Sequence, residues 1–145
     1  MFGQDRTQFR RFFAEAWRKR REGAPMEPLE RLVAEVVGLH PEYHRLLEDP
    51  ERAIDRDFPP EAGHTNPFLH LGMHISIREQ AATDRPAGIA DLRRRLALLL
   101  GDEHAAEHQM MECLGQALWE AQRANRAPDE AAYLDCLRRH AGMDG

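Results

Sequence analysis

Lysine is nearly absent from this chain: Lys19 is the only one among 20 basic residues. A basic complement made almost wholly of arginine reads as compositional bias, not phosphate recognition, and a formal net charge of -5 leaves no electrostatic footprint for nucleic acid. Arg6, Arg10, Arg11, Arg18, Lys19, Arg20 and Arg21 do crowd the first predicted helix, where they are expected to coat a solvated face. Cysteine is scarce as well. Cys113 and Cys136 lack Cys-x-x-Cys spacing and are expected as reduced, partly buried thiols, with a disulfide between them as the lesser alternative. No apolar stretch approaches membrane-spanning length, and the first residues lack the positive segment and apolar run of a signal peptide, so the expectation is a cytoplasmic protein. No segment alternates with period two, which excludes an evident sheet.

What the chain has is helical periodicity. Asp5 and Gln8 form a capping-box pattern, and Phe9, Phe12, Phe13, Ala16 and Trp17 then recur on one face of a helix ending near Gly23. Leu29, Leu32, Val33, Val36 and Val37 repeat the pattern, and His40 is the next position on that stripe, hence near the core. Pro41 makes His40 the cap of a short helix carrying Tyr43, His44, Leu46 and Leu47. Residues 49–65, with three prolines, few apolar side chains and a run of acids, predict a solvated loop of binding or lid type.

Asn66-Pro67 predicts a helix to about Ala82, with Asn66 as its cap. Ile89, Leu92, Leu96 and Leu99 predict another, stopped by Gly101. Asp102 then caps the longest helix, to about Ala124, and a last one starts at Pro128-Asp129-Glu130 and buries Tyr133, Leu134 and Leu137. Trp17 and Trp119 are expected in the core, as are Met73, Met110 and Met111. The 145 residues therefore predict an all-α, single-domain bundle of five or six helices.

Six of the eight histidines fall in pairs four residues apart: His40 and His44, His70 and His74, His104 and His108. Side chains at i and i+4 of a helix stand on the same face, so each interior pair can present two nitrogens to one metal ion. Glu107 lies on the interior side of its helix and Glu79 about opposite the histidines of its own. A buried carboxylate is costly unless a metal or imidazolium compensates it, so Glu107 is assigned as a ligand or catalytic base. His70, His74, His104 and His108 are the expected metal ligands, with His40, His44 and His64 completing a second metal or supporting the first. The nitrogen-rich donor set suits zinc or non-heme iron, in hydrolytic or redox chemistry on an undefined small molecule.

Other readings stand beside this one. His104-x-x-Glu107-His108 matches the inverted zincin motif, but such peptidases need a distant glutamate and a much larger fold. Histidine pairs also occur as core or interface residues, which makes the chain a metal-free interaction module or homodimer. Clustered imidazoles can also form a pH switch.

Asn66-Pro67-Phe68-Leu69-His70-x-x-x-His74, Asp84-Arg85-Pro86-Ala87-Gly88-Ile89 and His104-x-x-Glu107-His108-x-Met110-Met111-Glu112-Cys113-Leu114 resemble a family of small bacterial proteins called domain of unknown function eighteen-forty-one. The likeness extends to His40-Pro41-Glu42-Tyr43-His44 and to the tail from Leu118 to Leu134. It implies no activity. Hemerythrins are similar in pattern only, sharing a His-x-x-x-His pair but not the order of the other ligands.

Overall fold

A computed structural model describes residues 2–58 and 66–143. Among these residues the regular structure is all helical, with no strand, and the eight α-helices exceed the five or six expected. They are α1 (Phe2–Glu22), α2 (Pro28–Gly38), α3 (His44–Leu47), α4 (Pro50–Asp55), α5 (Pro67–Thr83), α6 (Ile89–Leu100), α7 (Glu103–Ala124) and α8 (Glu130–His140), with a 3-10 turn at Pro41–Tyr43. No helix among the described residues is long and apolar enough to cross a membrane. The contacts divide the chain into two compact units, Met1–Ile75 and Ser76–Gly145.

The first unit packs α1 against α2 and α4. Its core joins Phe13, Ala16, Trp17, Val33, Val36, Val37, Leu47, Phe68, Leu71 and Ile75, so the predicted stripes on α1 and α2 do meet. Helix α1 begins at Phe2, earlier than the capping pattern at Asp5 indicates. It ends where Gly23, at φ 67, takes the left-handed conformation that a residue without Cβ adopts at no steric cost.

The predicted loop from Asp49 is corrected over its first part, because Pro50–Asp55 is helical. The cause lies on another helix. Arg10 of α1 is buried, and its Nη1 donates to the carbonyls of Ala53, Ile54 and Arg56 at 2.9, 3.1 and 2.7 Å. These carbonyls end a six-residue helix that has no propensity to stand alone. The guanidinium also lies 4.7 Å from the Phe68 ring centroid, a cation–π contact within the first unit. Arg10 is therefore no part of a solvated basic face, contrary to the expectation for it. Residues 59–65, including His64, lie outside the described residues.

Lys19 also has a structural partner. Its Nζ donates to Glu30 Oε2 at 2.6 Å, while the Glu27 N–H donates to Glu30 Oε1 at 2.8 Å and closes a capping box on α2. The ammonium first, and the amide second, hold the Glu30 carboxyl below its ordinary value of 4.5. Because the folded-state value is the depressed one, this stabilisation is complete above about pH 4.5 and disappears as pH falls through the folded-state value. Glu30→Gln is expected to lower the urea midpoint at neutral pH, with the gap to the parent closing in acid. A gap that stays constant from pH 7 down to about pH 3 would overturn this linkage.

In the second unit α6 packs on α7, and α7 and α6 on α8. Ile77, Ile89, Leu92, Leu96, Met110, Leu114, Tyr133 and Leu137 are buried there. Three predicted boundaries hold. Gly101 at φ 74 closes α6, the Asp102 carboxylate accepts the Ala105 N–H at 2.9 Å, and Asp129 accepts the Ala132 N–H at 3.1 Å. Asp84 adds a cap that the sequence reading missed: Oδ1 accepts from Gly88 N at 3.1 Å and Ala90 N at 3.0 Å, at the start of α6. Trp119 is not core, being 57% exposed beneath the Arg123 guanidinium, and Leu118 is exposed as well.

Cys113 and Cys136 form a disulfide, which corrects the expectation of two separate thiols. Cys113–Cys136 and Gln109–His140 are successive pairings between α7 and α8, so the two helices run antiparallel. That alignment brings the two Cα atoms to 5.8 Å, inside the span a disulfide bridges.

Candidate functional site

Asn66 is the cap its sequence predicts: Oδ1 accepts the N–H groups of Phe68 and Leu69 at 3.0 and 3.3 Å. With the start of α5 set by Asn66-Pro67, His70 and His74 fall one turn apart on one face, and their Nε2 atoms stand 3.3 Å from each other. His74 is buried and His70 is half-buried, so the pair has a dry end and an accessible end.

His40 joins them within the first unit. Its ring centroid lies 5.0 Å from that of His70 and 4.7 Å from that of His74, both edge-on. The α2 stripe ends in this buried residue, as its spacing predicts, and Pro41 starts the next turn with His40 as its cap. Nδ1 of His40 donates to the Val36 carbonyl at 2.8 Å, which leaves the lone pair of the neutral ring on Nε2. A ligand nitrogen of His40 lies within 4.8 Å of one on His74. Tyr43 stacks on His40 at 5.5 Å and meets His70 edge-on at 6.0 Å, and burial raises its phenol above its ordinary value.

His44 is placed differently. Its Nε2 donates to the Val37 carbonyl at 2.8 Å, and its ring stacks on Trp17 at 4.3 Å and 30°. These are packing interactions of α3 against α1 and α2.

In the second unit, His104 and His108 lie one turn apart on α7 with ring centroids 4.4 Å apart, and ligand nitrogens of the two lie within 4.8 Å. His104 is half-buried and His108 exposed. Between them Glu107 is fully buried, the position its angle on the helix predicts. Two arginines compensate its charge. Arg78 Nε donates to both carboxylate oxygens, at 3.3 and 3.1 Å, and Arg93 Nη2 donates to Oε2 at 2.7 Å. Neither arginine was legible as a partner, because the pairing joins α5 and α6 to α7 across 29 and 14 residues.

Helices throughout, with imidazoles gathered in pairs one turn apart, define an all-helical, histidine-clustered protein. The chain belongs to the family described as domain of unknown function (DUF1841), which it matches over residues 5–139. No curated protein and no solved structure matches it.

Proposed function

We propose that this protein binds a transition-metal ion, zinc or non-heme iron, through its paired histidines. The observation that carries the reading is the approach of His70 and His74, whose Nε2 atoms stand 3.3 Å apart. Two nitrogens that each lie about 2.1 Å from a tetrahedral ion are separated by about 3.4 Å, so the pair needs little movement to share one ion. His40 supports it with a buried ring against both and a backbone carbonyl on Nδ1, the outer partner that metal-binding imidazoles characteristically have. His104 and His108 are proposed as a further ligand pair within the second unit, with His44 as a packing residue.

Glu107 enters this reading through its neighbours. Both oxygens already engage guanidinium groups, so Glu107 fixes Arg78 and Arg93, and a part as ligand or base is taken beside those bonds or in exchange for one of them. A zinc ion with an open position acidifies a bound water, and an iron ion supplies redox chemistry. The half-buried edge of His70 gives a small molecule its approach. The setting proposed is the cytoplasm.

Elemental analysis of protein purified without an affinity tag tests the reading. About one or two equivalents of zinc or iron are expected, reduced in a His70→Ala, His74→Ala variant and in His108→Ala. Absence of metal from the parent, with no rebinding of added zinc or iron, overturns it in favour of histidines that serve packing or an interface, as His44 does against Trp17.

A further inference from the structure

The Cys113–Cys136 bond lies beside a third donor that the histidine pairs do not use. A ring nitrogen of His140 and the two sulfurs all lie within 4.8 Å of one another. Cys136 and His140 are i, i+4 neighbours on α8, and Cys113 meets them from α7. One turn along the same helix pair, His140 Nδ1 donates to Gln109 Oε1 at 2.6 Å. That bond orients the ring and puts the lone pair of its neutral form on Nε2. Two sulfurs and an imidazole of fixed tautomer make a donor set for a soft divalent metal.

The bond is also reachable. A cavity of about 230 Å³ is lined by both cysteines, Tyr133, Glu120 and Arg139. Cys113 is buried and Cys136 only half-buried, so an incoming thiolate meets Cys136 first. We infer that Cys113, Cys136 and His140 form a redox-gated site for zinc or a similar soft divalent ion, closed as the disulfide and opened by a dithiol reductant.

One thiolate of the reductant bonds to Cys136 Sγ; the Cys113–Cys136 bond breaks and its electron pair leaves on Cys113 as a thiolate. The second reductant thiolate displaces Cys136. The dithiol ends as a disulfide, and the protein has gained two electrons and, on protonation, two protons. Opening the bond lets the sulfurs separate to the roughly 3.7 Å that two thiolates occupy on one tetrahedral zinc. The ion displaces both thiol protons, His140 supplies the third ligand, and water takes the fourth position.

Cobalt(II) separates this site from the histidine pairs, because only thiolate ligands give intense sulfur-to-cobalt charge-transfer absorption in the near ultraviolet. The folded full-length protein is treated with a dithiol, freed of reductant under anaerobic conditions, counted for thiols and titrated with cobalt. Two thiols and one equivalent of cobalt bearing the charge-transfer band are expected, with no such band in the oxidised protein. The band is expected to persist in the His70→Ala, His74→Ala variant and to vanish in Cys136→Ser. His140→Ala is expected to weaken cobalt binding by about tenfold or more, and Gln109→Ala, which spares all three donors, by about tenfold. A bond that yields thiols only after unfolding, or two free thiols that give no band with excess cobalt, overturns the inference. The metal content of the oxidised protein reads the proposed function separately.

Discussion

Glu107→Gln is expected to destabilise the fold by about 3 kcal/mol, which in a chain of this size lowers the melting temperature by about 6–12 °C. The carboxylate is fully buried, and it is the common acceptor for Arg78 and Arg93, whose side chains are 20% and 18% exposed. Neutralising it removes the buried counter-charge that the two guanidinium groups share, although Arg93 keeps the exposed Glu103 at 4.0 Å, and turns an amide donor toward them. Breaking a buried pair from one side costs about 3–5 kcal/mol, and the lower end applies because both arginines retain some contact with water. Replacing the trio together, as Arg78→Met, Glu107→Leu and Arg93→Met, is expected to cost less than Glu107→Gln alone, since no charge is then left uncompensated. Urea unfolding of the parent and the two variants checks this, and a Glu107→Gln cost below about 1 kcal/mol would sink it. Metal content read on the same variant divides the two roles open to Glu107. Retention of metal with reduced stability marks an ion-pair residue, whereas loss of metal with unchanged stability marks a ligand.

Helix boundaries were legible because their chemistry is local. Asn66 before Pro67, Gly101 before Asp102, and Asp129 three residues before Ala132 act within one turn of chain, and the structure has each where the sequence puts it. The burial of His40 was legible for a related reason, since a 3.6-residue stripe continues through it. What the sequence hid are the pairings between helices. Arg10 looked like one of several solvated arginines, because nothing near it in sequence announces that its guanidinium ends a helix more than forty residues away. The same blindness conceals α4, a short helix whose cap is on α1, and the two arginines that meet Glu107. Trp119 was misplaced because apolar character gives no direction: at its angle on α7 it faces outward and packs under Arg123.

Reduction of the Cys113–Cys136 bond is the other change with a large expected effect, also about 3 kcal/mol. The bridge joins residues 23 apart, and closing a loop of that length removes about 11 cal/mol/K of entropy from the unfolded chain, or about 3.4 kcal/mol at 25 °C. α8 bears most of the loss. Apart from the bridge, the side-chain hydrogen bonds seen to tie it and its C-cap into the second unit are those of Tyr133 to Gln80 at 2.8 Å, Arg95 to the Ala141 carbonyl at 3.1 Å and His140 to Gln109 at 2.6 Å, the last exposed. Burial pushes the Tyr133 phenol well above its ordinary value, so that anchor keeps its proton throughout the neutral range. A melting temperature about 6–12 °C lower is therefore expected for Cys113→Ser, Cys136→Ser and for the reduced parent, measured by thermal unfolding with and without a dithiol. Equal melting of the oxidised and reduced parent would show that packing of Tyr133 and Leu137 holds α8 unaided. The metal makes the two forms of the unbridged chain diverge. An ion that binds only the folded, reduced protein adds RT ln(1 + [L]/Kd), about 2.7 kcal/mol at a hundredfold excess over Kd, so zinc is expected to raise the reduced parent by about that much more than the double serine variant, where the paired histidines alone can take it.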